Sequence, residues 1–287
     1  MSSAGLDVDF CFEVALPLVK QAGQEILAAF ERKDKKVESK SFADDLLTET
    51  DRRVEDLLIA GLKDKFPNHR FIAEERVSSG GEFEASTVEP TWIIDPIDGT
   101  TNFVHGYPQV CVSVGLWAQN CPQLAFVFNP VLDQLFTAKR GQGAFLNGRK
   151  LSVSKTTELS AAIVGGDILS YQSQFDRLEV SIANAKSVKA VARAFRIPGS
   201  VAITLAYVAM GALDAYFEQG PKSWDFAAGV LLVTEAGGVV RSILGEPFDL
   251  FGRTVLATST ENLAKQLADT LQPFPFEREG GPGPYKF

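Results

Sequence analysis

Apolar residues recur every four positions between 9 and 30, at Phe10, Val14, Leu18, Ala22, Ile26 and Phe30, and this stripe predicts an amphipathic helix. Pro17 falls inside it, where a residue without an N–H predicts a kink or a restart. A second stripe, Val54, Leu58, Leu62 and Phe66, predicts a helix over 48–66, and Thr48 with Asp51 matches a capping box. Short apolar runs predict strands at 71–73, 91–94, 110–118 and 123–128, and 141–148 reads as a turn-rich loop inside a meander. Beyond about 155 the pattern is mixed. It predicts strands at 162–165 and 213–217, helices near 175–185 and 201–210, and a helix over 226–236 that Gly237-Gly238 would end. The charged stretch 31–45 reads either as a mobile flap or as a plain solvated loop, and the Pro/Gly-rich residues 272–287 as a flexible tail.

Helices alternating with groups of strands in both halves predict an α+β fold, a layered αβαβα sandwich of helices and mixed sheets. No repeat or linker divides the 287 residues, so one compact domain is expected over 1–271, with two packed halves at about 1–155 and 156–271. Hydrophobic content of 45% is ample for its core. A net charge of −8 without a long basic run argues against a nucleic-acid backbone as partner. The uncharged stretch 197–213 is interrupted by Pro198, Gly199 and Gly211 and reads as a buried helix, so no membrane partner is expected. Three cysteines without CxxC spacing and a beginning without a basic-then-apolar signal predict a cytoplasmic setting.

Chemistry concentrates at 92–102, Trp-Ile-Ile-Asp-Pro-Ile-Asp-Gly-Thr-Thr-Asn. An apolar run reads as a strand that Pro96 ends, so Asp95 and Asp98 sit where it opens into a turn. Magnesium is commonly held by one or two carboxylates together with substrate phosphate. Gly99 lets the backbone come close, and the amides of Gly99, Thr100 and Thr101 could open a helix facing an anion. Acids also adjoin turns at Asp44-Asp45 with Asp51, at Glu74-Glu75, at Glu218 and at Trp224-Asp225. Each has a simpler reading: Asp98-Gly99 as a turn, Asp51 as a cap, Glu74-Glu75 as a solvated strand end, Asp225 as a helix start.

Taken together and in order, four motifs resemble the inositol monophosphatases, a branch of the lithium-sensitive, magnesium-dependent phosphatase superfamily. They are Asp45-Leu46-Leu47-Thr48-Glu49-Thr50-Asp51, Phe71-Ile72-Ala73-Glu74-Glu75, the run 92–108, and Trp224-Asp225 with Thr234-Glu235-Ala236-Gly237-Gly238. The likeness spans about 9–271. It implies a cofactor of two or three Mg2+ ions, one site matching Glu74, Asp95 and the Ile97 carbonyl, another matching Asp95, Asp98 and Asp225. It implies that Thr100, backed by Asp51 and with Glu74, orients the attacking water, and that the Gly99 and Thr100 amides cradle phosphate. Gly199, Ser200 and Glu218 match contacts to the substrate alcohol, and Lys40 matches a flap near the phosphate.

The implied activity is hydrolysis of inositol monophosphates to inositol and inorganic phosphate, within inositol metabolism and phosphatidylinositol signalling, by a homodimer that lithium inhibits. The alternatives are a phosphatase for fructose 1,6-bisphosphate, 3'-phosphoadenosine 5'-phosphate or another sugar phosphate, or a non-catalytic metal-binding relative. Three positions depart from the family pattern: Lys222 where His is frequent, Ser223 where Cys is frequent, and Val201 where a smaller residue is expected. With only two histidines, His105 reads as structural or a rim contact rather than a zinc ligand, and Trp92 and Trp224 read as packing beside the acids.

Overall fold

The computed structural model describes residues 5–32, 37–39, 46–168 and 175–281. In chain order the elements are α1 (Val8–Phe30), β1 (Val37–Ser39), β2 (Leu46–Thr48), α2 (Glu49–Lys65), β3 (Arg70–Ala73), α3 (Glu74–Ser78), β4 (Thr91–Asp98) and α4 (Thr100–His105). There follow β5 (Cys111–Ala118), β6 (Cys121–Asn129), β7 (Gln134–Lys139), β8 (Gly143–Leu146), β9 (Arg149–Lys150), β10 (Ile163–Gly165), α5 (Phe175–Val191) and β11 (Ala194–Arg196). The chain continues through α6 (Val201–Ala209), β12 (Ala215–Gln219), α7 (Ser223–Phe226), α8 (Gly229–Glu235), β13 (Val239–Arg241), β14 (Thr254–Thr258) and α9 (Glu261–Ala268).

Strands β3 to β9 form a seven-stranded sheet in sequential order, parallel only between β3 and β4, and β1 and β2 pair apart from it. The second half forms a five-stranded sheet in the order β11-β10-β12-β14-β13, parallel across β11, β10 and β12. Helices α1 and α2 cover the outer face of the larger sheet, α6 and α8 fill the space between the sheets, and α5 and α9 back the smaller one. The expected αβαβα layering follows. Its central layer is the most apolar: nearly every residue of α6 is buried, because sheets enclose that helix on both sides.

Several elements differ in detail from the pattern reading. In α1 the buried line is Cys11, Ala15, Val19, Ala22, Ile26 and Ala29, while Phe10 lies at the surface. Small residues win the inner face because the neighbours come very close: a Cβ on Gly23 would lie 2.2 Å from the Phe128 ring. The helix runs unbroken through Pro17. The helix expected over 226–236 stands as α8 over Gly229–Glu235, preceded by the short α7, and between them the Ala227 carbonyl accepts Trp117 Nε1 at 2.9 Å. Within 31–45 the described residues 37–39 pair antiparallel with β2, so a small ribbon stands there, and Lys40, Asp44 and Asp45 lie outside the described residues.

Strand β4 does not stop at Pro96. It continues to Asp98 across an irregularity in which the pairing with β5 shifts between Asp95 opposite Ser113 and Asp98 opposite Cys111. The extra residue is a bulge, the one interior setting in which a proline does not cost a ladder bond. Residues 272–281, taken from composition as part of a loose tail, run across the second half in a series of hydrogen bonds. Composition reports chain flexibility and carries no information about such pairings.

Candidate active site

Topology brings the acids together. Strands β3 and β4 are parallel with Ala73 opposite Ile94, so Glu74, just past the end of β3, lies beside Asp95 within β4. The bulge then carries the chain past Pro96 and Ile97 to Asp98, and Gly99 turns it into α4 at φ +87°. Thr100 Oγ1 donates to the Ile97 carbonyl at 3.0 Å, closing the turn.

Asp98 joins the two halves. Its Oδ2 accepts Ser200 Oγ and the Ala202 amide, each at 2.6 Å, and its Oδ1 accepts the Val201 amide at 3.3 Å. The positive end of α6 thus faces a carboxylate from the other sheet. Asn102 strengthens the same seam by donating to the carbonyls of Gln109, Pro198 and Gly199 at 2.9, 3.0 and 3.2 Å. Gly199 is therefore backed by Asn102, and Ser200 is both the cap of α6 and a partner of Asp98.

From the second half, Asp225 sits on α7 with Oδ2 accepting the Lys222 amide at 2.6 Å. Burial pushes the Asp98 carboxyl up to about 6, partly offset by its bonds from Ser200, Ala202 and Val201 and reinforced by the charge of Glu74. Enclosure, then the charges of Asp98 and Glu74, hold Asp225 well above the usual carboxylate range. Burial followed by the charges of Asp98 and Asp95 raises the Cys111 thiol too. Glu74, Asp95, Asp98 and Asp225 thus share one electrostatic neighbourhood. Among the described residues no three His, Cys, Asp or Glu side chains are drawn in to the spacing that grips an ion.

The donor set fits a hard divalent cation. It consists of carboxylates and a main-chain carbonyl, with one oxygen of Asp225 fixed by an amide while the other is left for a ligand role, and mutual repulsion that a cation would relieve. Asp51 is fully buried and accepts both the Thr48 amide, at 2.8 Å, and the Thr48 hydroxyl, so the expected capping box is present. The ribbon strand β2 that precedes it lies against α4, the helix begun by Thr100.

Glu218, at the end of β12, is buried and accepts the Tyr216 hydroxyl. Burial, then the charge of Asp167, raises its carboxyl well above the usual range. Asp167 itself, beyond the end of the neighbouring parallel strand β10, is pushed by burial up to about 6. Trp92 packs in the core and donates to His69 Nδ1 at 3.1 Å, Trp224 is buried in the central layer, and His105 is exposed at the end of α4.

Three residues escape the sequence reading. Glu55 on α2 accepts the amides of Glu75 at 2.7 Å and Arg76 at 3.1 Å, holding the start of α3 and with it Glu74. Its only sequence signal is a place on the buried face beside Ile59 and Leu62, where a charge is out of keeping. Asp167 gives no signal beyond following a predicted strand. Glu279 accepts the Ser223 amide at 2.7 Å from a stretch that composition marks as loose.

Comparison with known proteins gives the family. The profile of the Inositol monophosphatase family matches residues 7–274. Inositol monophosphatase 2 of Mus musculus is 43% identical over 272 residues, covering 94% of this chain and 93% of its own. Inositol monophosphatase 1 of Bos taurus is 38% identical over 270 residues, covering 94% and 96%. The solved structure of inositol monophosphatase from Anabaena (Nostoc) sp. PCC 7120 superposes with a TM-score of 0.78 at 30% identity, covering 92% of this chain and 96% of that one.

Proposed function

Because the chain belongs to the inositol monophosphatase family, we propose that it is a magnesium-dependent phosphomonoesterase that hydrolyses inositol monophosphates to inositol and inorganic phosphate. The observation that carries this reading is the meeting of Asp98, at the end of the bulged β4, with the start of α6, in the same field as Glu74, Asp95 and Asp225. Such a seam gathers oxygen ligands for cations beside the Gly99 and Thr100 amides, and the start of α6 anchors Asp98 there, as a phosphate ester requires.

Glu74, Asp95, Ile97 through its carbonyl, Asp98 and Asp225 would hold two or three Mg2+ ions. The ions supply neutralisation of phosphate charge and activation of water. Thr100, with Asp51 and Glu74, orients the attacking water, and the Gly99 and Thr100 amides hold the phosphate. Gly199, Ser200 and Glu218 line the alcohol side. Glu218, already an acceptor for the Tyr216 hydroxyl, can accept a further hydrogen bond from a polyol hydroxyl. Lys40 completes the set from outside the described residues. The working form is a homodimer sensitive to lithium, in a reducing cytoplasm that suits the free Cys11, Cys111 and Cys121. Among the described residues no helix is long and apolar enough to cross a membrane.

The test is phosphate release with and without magnesium from inositol 1-phosphate, fructose 1,6-bisphosphate and 3'-phosphoadenosine 5'-phosphate, repeated with lithium. Magnesium-dependent, lithium-inhibited turnover highest on inositol 1-phosphate is expected. Preference for another ester would reassign the alcohol pocket, and no turnover on any ester would reject the enzyme.

A further inference from the structure

Residues 272–281 follow a path that ends beside the acidic site. At its start the Gln272 amide donates to Asn184 Oδ1 at 2.7 Å, and its carbonyl accepts Asn184 Nδ2 at 2.8 Å. The Phe274 amide then donates to Gln219 Oε1 at 2.7 Å, one residue beyond Glu218. The Phe276 ring lies between the guanidinium groups of Arg177 and Arg253, 4.9 Å from each. Arg278 closes a two-bond fork on Asp249 at 2.7 and 3.1 Å. Each contact fixes the next, so the segment is held along its length.

The end point is Glu279. It is buried, its amide donates to the Phe251 carbonyl at 3.0 Å, and its Oε2 accepts the Ser223 amide at 2.7 Å. Its Oε1 lies 3.9 Å from Lys222 Nζ. The Lys222 amide in turn donates to Asp225 Oδ2. Two successive amides of one turn are thus held by two carboxylates, one a candidate cation ligand and the other from the far end of the chain. Gly280 then presses on Ala85, where a Cβ would meet the Ala85 Cβ at 2.6 Å.

We propose that 272–281 is a positioning strap in which Glu279 fixes the Lys222–Asp225 turn and occupies the Lys222 ammonium, and so sets the cation affinity of the acidic site. Two effects act in one direction. Fixing the Ser223 amide holds the turn that aims Asp225, and pairing with Lys222 keeps a competing cation off that carboxylate. The inference rests on the metal-site reading above but not on the identity of the ester.

The test is calorimetric titration of magnesium into the metal-free full chain, wild type against Glu279→Ala and Glu279→Gln, beside magnesium dependence of turnover and melting by circular dichroism. Loss of a partner of this kind typically costs about tenfold in metal affinity, and that is the rise in Kd expected for Glu279→Ala. Glu279→Gln keeps an acceptor for Ser223 and loses only the Lys222 pairing, so its Kd should fall between the other two. For both, the magnesium needed for half-maximal rate rises while KM for the ester at saturating magnesium holds. Unchanged magnesium Kd in a folded Glu279→Gln, or in Glu279→Ala with only a lower melting temperature, would make the strap a staple and overturn the proposal. A shifted Kd in an enzyme that prefers another ester would uphold the strap and fail only the substrate assignment.

Discussion

At Gly99 the backbone takes φ +87°, and a Cβ there would lie 2.8 Å from the Gln109 carbonyl. Both the conformation and the contact forbid a side chain, because the opposing atom belongs to the main chain and cannot swing away. Gly99→Ala should therefore lose about 1–3 kcal/mol of stability, readable in chemical denaturation. It should lose turnover as well, since the same peptide links Asp98 to Thr100. A stable, active variant would show that the turn relaxes. Asp95 is a sharper case: Asp95→Asn is expected to abolish kcat rather than raise KM, and a normal turnover number would remove Asp95 from the ligand set. Asp95, Asp98 and Gly99 were singled out in the sequence by residue type and spacing, and the structure sets them at the bulge and the turn that ends β4. Glu279 was not, because a carboxylate that binds distant amides looks like any surface acid until the chain is folded, and the misplaced charge of Glu55 on the apolar face of α2 did not name its partners.

The bulge in β4 is the element on which the site depends. Pro96 reads as a strand end when only ladder bonds are considered, yet the strand survives it by giving Pro96 and Ile97 to an irregularity. Its counterpart is the start of α6, where Ser200 caps the helix and bonds Asp98. Ser200→Ala should cost about 1 kcal/mol as a lost cap and, beyond that, loosen Asp98. The expected signature is a weaker magnesium dependence of the melting temperature with the far-ultraviolet spectrum unchanged, and an unaltered magnesium response would refute the link. The long periodic helices and the larger sheet were legible because their patterns are strong. The short α7 before α8 was not, although Ala227 and Ala228 between them keep helical angles and the Ala227 carbonyl is taken by Trp117. Strands β13 and β14 are absent from the sequence reading.

Across the molecule, buried acids make the metal-free protein sensitive to pH in an unusual sense. Burial raises Asp98 from 3.8 to about 6 and Glu55 from 4.5 to about 7. Between those values the native state holds protons that the unfolded chain has released, so their contribution is fully present below the lower values and is lost as pH rises. In chelator the melting temperature should fall from about pH 4 to pH 7 through these groups. Magnesium should reverse the fall at the upper end, and Glu55→Gln should flatten the part owed to Glu55. A profile rising across that window in chelator would contradict the assignment.

The partners of Asp98 lie 102 to 104 residues later in the chain. During synthesis the ribosome therefore releases β4 well before the hydroxyl and amides that hold its last acid. The incomplete chain carries Glu74, Asp95 and Asp98 at a sheet edge without Asp225 or the start of α6, and nothing in it can yet close on an ester. For the proposed site, competence for chemistry would arrive late in translation, with the docking of the second sheet on the first.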